Sequence, residues 1–398
     1  MTDTDTSRGS RTSATEASAR AVLAIYAATE WPGVPGAHHP ADAGPVVLAA
    51  LVQGGTRPDE RDPASRALAA WLKCVRAGVT HSGMFSWGLA GCLVGAQLAS
   101  GTWPAMSGLA ACLRSVLEER AAMRSWRIQE VGWRDYDLVT GPSGIALALA
   151  TDPTCSPASV SPVGAHLAAL CDTDDLERLR VGVYRGETLR GWNYGRINTG
   201  LAHGVAGVVA ALRTIADVTA AGDEITMPLR RAARWLVRQS FTDARGVLTW
   251  PSAARDGRAG PSQASRRQAW CYGTPGVAWS LWEAGRVLDD PELQSFALDA
   301  AGSFLEGYDD AFYLDGLGIC HGAAGLLLIA DAFARHAGLP AAAELRAHLE
   351  RYLLDHLDEA VASSAKDCSL LSGSSGALIA SLTLSLGDRR WLPAIALR

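Results

Sequence analysis

One element recurs six times along the chain: a glycine, two mostly small residues, a second glycine and then an apolar run. The copies are Gly88-Leu-Ala-Gly91, Gly141-Pro-Ser-Gly144, Gly204-Val-Ala-Gly207, Gly273-Thr-Pro-Gly276, Gly322-Ala-Ala-Gly325 and Gly373-Ser-Ser-Gly376. Successive first glycines lie 53, 63, 69, 49 and 51 residues apart. Between them, Ala105–Ala122, Met227–Gln239, Leu293–Leu305 and Ala341–Leu357 alternate apolar and charged positions at helical spacing. Each repeat thus reads as an outer amphipathic helix, a glycine turn and an inner apolar helix. Such a hairpin cannot bury its apolar face alone and must stack on its neighbours. Six of them predict an all-α fold, an α/α toroid in which a double ring of helices closes on itself. The inner helices then start at the glycine turns, so their positive ends gather at one mouth of the ring. Any single glycine pair is equally explained by tight helix packing.

Length alone, 398 residues, allows two or three domains; the repeat reduces this to one toroid over 19–398. Residues 1–18, polar and rich in Ser and Thr, are expected to be a disordered tail. The 63-residue gap between the second and third copies leaves room for a small β-containing insertion at about 152–197, and Pro251–Gln268 reads as an exposed loop. Thr80–Leu113 lacks any charge but is broken by glycines and Pro104. It is expected to be two buried segments rather than a membrane span, which needs about 20 continuous apolar residues. A net charge of -5 gives no footprint for nucleic acid. No export signal precedes the first repeat, which points to the cytoplasm and to cysteines that are reduced thiols or metal ligands.

The residues able to do chemistry stand just ahead of the glycine pairs. Cys271 is two residues before Gly273, Cys320 and His321 directly precede Gly322, His203 precedes Gly204, and Asp137 is four residues before Gly141. A ring would bring them to one mouth. Cys271, Cys320 and His321 make a zinc set of two thiolates and an imidazole with a fourth position open, the pattern of a catalytic site. The alternative is that both cysteines are small buried hydrophobes. His203 fits an acid/base group oriented by Asp137, or a hydrogen-bonded packing histidine. Tyr272 is a proton donor or an aromatic wall. Arg267 holds a substrate carbonyl or carboxylate, or belongs to a solvated pair with Arg266. The other cysteines have no Cys or His partner in register, and His38 and His39 read as surface residues of a Pro/Gly loop.

The segments NTGLAHGVAG, RRQAWCYGTPG and LGICHGAAG together resemble the lanthionine synthetase C-like family, the cyclases that form thioether rings in lanthipeptides. The resemblance runs from about Ala19 to the last residue. It implies a toroid and one Zn2+ per chain on Cys271, Cys320 and His321. It also implies a catalytic group of His203, Asp137, Tyr272 and Arg267. Where some members carry an acid after that arginine, this chain has Gln268. The implied reaction adds a peptide Cys thiolate to dehydroalanine or dehydrobutyrine, giving lanthionine or methyllanthionine. The implied substrate is a dehydrated precursor peptide, leader plus core. No dehydratase domain is expected ahead of the first repeat. Dehydration would fall to a separate partner, within a membrane-associated complex if the two assemble.

Three other readings use the same residues differently. A zinc-assisted transferase would add glutathione or another small thiol to dehydroamino acids. A non-catalytic toroid would only bind peptide. A toroid glycosidase would need paired carboxylates, for which Asp137, Asp309, Asp310 and Asp315 are the available acids.

Overall fold

The structure, a computed structural model, describes residues 3–29, 41–54, 59–184, 187–188, 195–220, 222–254 and 267–398. His38, His39 and most of the 251–268 loop lie outside the described residues. In chain order the helices are α1 (Asp3–Ala28), α2 (Ala43–Gln53), α3 (Pro63–Ala77), α4 (Leu89–Ser100), α5 (Met106–Ala122), α6 (Pro142–Ala150), α7 (Pro157–Leu170) and α8 (Val205–Thr219). They continue with α9 (Asp223–Gln239), α10 (Thr274–Val287), α11 (Pro291–Glu306), α12 (Asp310–Tyr313), α13 (Ala323–Ala332), α14 (Pro340–Asp355), α15 (Leu357–Ser363) and α16 (Ser374–Leu386). All six repeats start an inner helix, and the first glycine of every pair is that helix's N-cap.

Among the described residues the inner ring has seven helices rather than the six expected. α2, α4, α6, α8, α10, α13 and α16 each pack on the next, and α16 packs on α2 to close the ring. α2 escapes the repeat because Asp42, not glycine, caps it: its Oδ1 accepts from Gly44 N at 2.9 Å. The outer helices α3, α5, α7, α9, α11 and α14 each lie on the inner helix before them, and α1 lies on α16. The two ends of the chain therefore build the last hairpin together.

That pairing overturns the expected disordered tail at 1–18. α1 runs from Asp3, and its buried Thr15, Ala19, Val22, Leu23 and Tyr26 share one helical face. The apolar face of α16 needs an outer partner, and the chain after it, Trp391–Leu397, is used elsewhere. This segment touches α6 and accepts hydrogen bonds from Trp270 Nε1 (to Ile395 O, 2.9 Å) and Trp279 Nε1 (to Ala396 O, 3.0 Å). Since α8 separates α6 from α10, the segment fills the middle of the ring. Among the described residues the expected insertion is also smaller. Residues 157–170 are the outer helix α7, leaving a short helical turn at Glu177–Leu179 and a hairpin of β1 (Val183–Tyr184) and β2 (Glu187–Thr188). A second hairpin, β3 (Phe241–Thr242) with β4 (Leu248–Thr249), follows α9.

The glycine pairs have a steric cause. The loop before each of the six glycine-capped inner helices doubles back across its first turn. A Cβ at Gly276 would lie 2.1 Å from the Trp270 carbonyl oxygen, and one at Gly325 1.9 Å from that of Ile319. The same doubling back satisfies the helix ends. Val205 N donates to Asn198 O (2.9 Å), Ala323 N to Gly316 O (2.9 Å) and Ser374 N to Asp367 O (3.1 Å), each seven residues earlier. The positive helix ends do gather at one mouth, but their N–H groups are taken up by the loops, so the loops supply the chemistry. No helix of the described residues is long and apolar enough to cross a membrane.

Candidate functional site

Neighbouring loops are stitched together at one register position, two residues before the glycine. The carbonyls there accept in turn from the preceding loop: Phe85 N to Val139 O (3.1 Å), Leu138 N to Ala202 O (3.1 Å), Leu201 N to Cys271 O (2.8 Å), Cys271 N to Cys320 O (3.2 Å) and Cys320 N to Leu371 O (2.8 Å). Cys271 and Cys320 hold this position in adjacent loops, so one backbone hydrogen bond sets them side by side although 49 residues separate them. His321 occupies the next position, as His203 and Tyr272 do in theirs.

The ligand atoms of Cys271, Cys320 and His321 all lie within 4.8 Å of one another, with Cys271 Sγ 3.9 Å from His321 Nδ1. Trp270, whose indole is anchored on Ile395 O, directly precedes Cys271, which is 2% exposed. A hydrogen bond between the thiols splits them, drawing Cys320 down against burial and pushing Cys271 up. His321 is raised, chiefly by its hydrogen bond to Cys320. Two thiols and an imidazole, one of the thiols already favouring the thiolate, form a donor set suited to a borderline-soft divalent ion.

His203 stands in the neighbouring loop. Its Nδ1 is 2.6 Å from Asp137 Oδ2, and its ring stacks on Trp133 with centroids 4.4 Å apart. Asp137 is fully buried, and its Oδ1 accepts from Thr140 N (2.8 Å) and Gly141 N (2.7 Å). The carboxylate is therefore clamped before it meets the imidazole. Because it can only accept, Nδ1 carries the hydrogen and Nε2 is left for other partners. Charge on His203 bears on Cys320, so both groups share one electrostatic environment.

Tyr272 follows Cys271, and its hydroxyl accepts from Asn198 Nδ2 at 2.7 Å. Burial raises the phenol, and charge on Cys271, Cys320 and Asp137 pushes the same way. Arg267 is half exposed at the rim, paired with Asp315 at 3.2 Å, and its charge reaches Cys271 and His321. Gln268 lies outside this chemistry. It is buried, accepting from Thr274 N (2.7 Å) and donating to Thr249 Oγ1 (2.8 Å), so it caps α10. The end of the loop expected to be exposed is thus packed. The acids a glycosidase would need are engaged elsewhere: Asp309 caps α12, Asp310 pairs with His348 and Asp315 with Arg267.

The structure therefore brings all seven expected residues to one end of the ring. Sequence reasoning missed Trp133 and Asn198, and it offered Asp315 only as a glycosidase acid, not as the partner of Arg267. Asn198 alone carried a signal, standing six residues before a first glycine, as Asp367 does.

The family model for lanthionine synthetase C-like protein matches residues 46–397. Nisin biosynthesis protein NisC of Lactococcus lactis subsp. lactis is 27% identical over 147 residues, which span 35% of this chain and 34% of that protein. A solved structure of nisin cyclase superposes with a TM-score of 0.76 at 18% identity, covering 89% of this chain and 90% of that one. With the model spanning nearly the whole ring, the chain belongs to the lanthionine synthetase C-like family.

Proposed function

We propose that this protein is a zinc-dependent lanthipeptide cyclase. In this reading it joins Cys thiols of a dehydrated precursor peptide to dehydroalanine or dehydrobutyrine in the same peptide. The observation carrying the reading is the approach of Cys271, Cys320 and His321 within 4.8 Å, beside a His203–Asp137 pair in the same loop register. The donor set fits Zn2+, and Cys271, Cys320 and His321 would hold it. When bound, Zn2+ supplies an open position that favours the thiolate form of a substrate cysteine.

The chain's own residues account for the rest. In the net reaction the S–H bond breaks, a carbon–sulfur bond forms at the β-carbon, and the α-carbon gains a proton. His203, with Nδ1 donating to Asp137, presents Nε2 for that proton transfer. Negative charge that develops on the acceptor's carbonyl oxygen needs a donor, and Tyr272 and Arg267 are the groups at hand. Trp133 covers one face of His203 and limits its contact with water. The dehydrated peptide is the expected substrate, and a separate dehydratase the expected supplier.

The test is incubation with a dehydrated peptide containing one cysteine, read by mass spectrometry and thiol alkylation. Ring closure leaves the mass unchanged and removes the free thiol. A gain equal to an added small thiol would favour the transferase instead. About one zinc per chain, lost with activity in Cys320→Ala, is expected; carefully purified protein without zinc, with wild-type turnover in that variant, would refute the reading.

A further inference from the structure

We infer that Asn198 is a positioning residue that sets the direction of the Tyr272 hydrogen bond, making its hydroxyl a donor toward the substrate. The inference rests on the cyclase reading for its substrate, but its core is a statement about hydrogen-bond polarity.

Asn198 is fully buried, and its partners assign its amide without ambiguity. Its Oδ1 accepts from Gly200 N at 2.8 Å, so the other amide atom, Nδ2, must face Tyr272, whose hydroxyl oxygen lies at 2.7 Å. The phenol oxygen is thereby an acceptor on that side, and its own hydrogen points away from Asn198. The ring packs closely on Gly200, where a Cβ would come within 2.6 Å of Tyr272 Cδ1 and Cε1.

A comparison within the ring separates this duty from turn formation. Asp367 stands at the same register position in the sixth repeat. Its Oδ1 accepts from Ser369 N, two residues on (2.7 Å), and its carbonyl from Ser374 N, seven residues on (3.1 Å). Asn198 makes the same two bonds, to Gly200 N and Val205 N. A carboxylate therefore suffices for the turn. What the amide adds at 198 is an N–H aimed at Tyr272. One segment, 198–203, thus holds both candidate hydrogen-bond groups, orienting Tyr272 at its start and carrying His203 at its end.

Asn198→Asp tests this, because it keeps the turn, as Asp367 shows, and reverses the bond: a carboxylate accepts the phenol hydrogen that should face the substrate. The expected loss in kcat is about 100-fold, the low end for loss of a donor to developing charge, with KM and zinc content held. In a Tyr272→Phe background the same change should cost nothing further. An equal loss in both backgrounds would overturn the inference. Asn198→Ala serves if the buried carboxylate impairs folding, with a smaller loss that must also vanish without the hydroxyl. The tyrosine Raman doublet, taken as wild type minus Tyr272→Phe, reports whether the phenol oxygen accepts. An acceptor signature that turns donor-like in Asn198→Asp is expected. A donor-only signature in the wild type sinks the inference whether or not rings form. Absence of ring formation with the acceptor signature intact counts against the cyclase reading alone.

Discussion

Replacing Asp137 by Asn isolates the contribution of one buried charge. The carboxylate is fully buried and splits its two oxygens: Oδ1 serves Thr140 N and Gly141 N, and Oδ2 meets His203 Nδ1 at 2.6 Å. Asn at this position keeps an Oδ1 for the two backbone donors, because Asn and Asp cap helix ends about equally well. Its NH2 then faces His203, so Nδ1 must accept and the ring hydrogen moves to Nε2. The catalytic nitrogen is left with the wrong tautomer, and no anion supports the imidazolium when it carries a second proton. A hydrogen bond to a charged group contributes about 1.5–3 kcal/mol, which corresponds to roughly a 10- to 150-fold loss in kcat. Cyclisation of a one-ring peptide, followed by thiol alkylation and mass spectrometry, measures it. Zinc content should stay at the wild-type value, since the metal set is untouched. Wild-type kcat in Asp137→Asn would refute the acid/base role of the pair, and loss of zinc with unchanged kcat per bound zinc would show that Asp137 only supports the metal loop.

The other expectations concern stability and the rim. Gly276→Ala forces the Trp270 carbonyl away from α10, so denaturant unfolding should reveal a loss of about 1–3 kcal/mol together with weaker zinc retention. Gly302→Ala, in α11 with open space around it, should be neutral or stabilising by up to about 1 kcal/mol. Arg267→Gln removes a half-exposed pair with Asp315, so stability should change by less than about 1 kcal/mol while the cyclisation rate falls; the opposite pattern would make Arg267 structural. Burial lowers His166, whose Nε2 is 2.7 Å from Asp135 O. As pH falls through about 6.5, the unfolded chain therefore takes up a proton that folded His166 refuses, and stability drops. The drop between pH 7.5 and 5.5 should be smaller in His166→Gln, as read from denaturation midpoints.

The helical hairpins and metal residues were legible for different reasons. A glycine pair is written wherever a loop crosses a helix end closely enough to exclude a Cβ, so six inner helices announced themselves. α2 did not, because Asp42 does the capping there and leaves no pair to find. α1 hid behind polar composition. Among its described side chains only five, from Thr15 to Tyr26, are buried, and Thr15 is polar. The cysteines and histidines could be recognised from their constant offset to the glycines. Trp133 could not, since it does not stand at that offset and its role exists only through contact with His203, and the pairing of Asp315 with Arg267 likewise exists only in the fold.

Local periodicity and steric exclusion act over a few residues, and these the sequence by itself determined: the hairpin repeat, the positions of the turns and the residue types they present. Closure of the ring depends on contacts between segments hundreds of residues apart, and only the tertiary structure decided it. α1 covers α16, Trp391–Leu397 fills the centre, and backbone bonds from loop to loop align Cys271 with Cys320. The same holds for the polarity of the site. Which atom of Asn198 faces Tyr272, and which nitrogen of His203 faces Asp137, follow from directional hydrogen bonds whose partners meet only once the ring has closed.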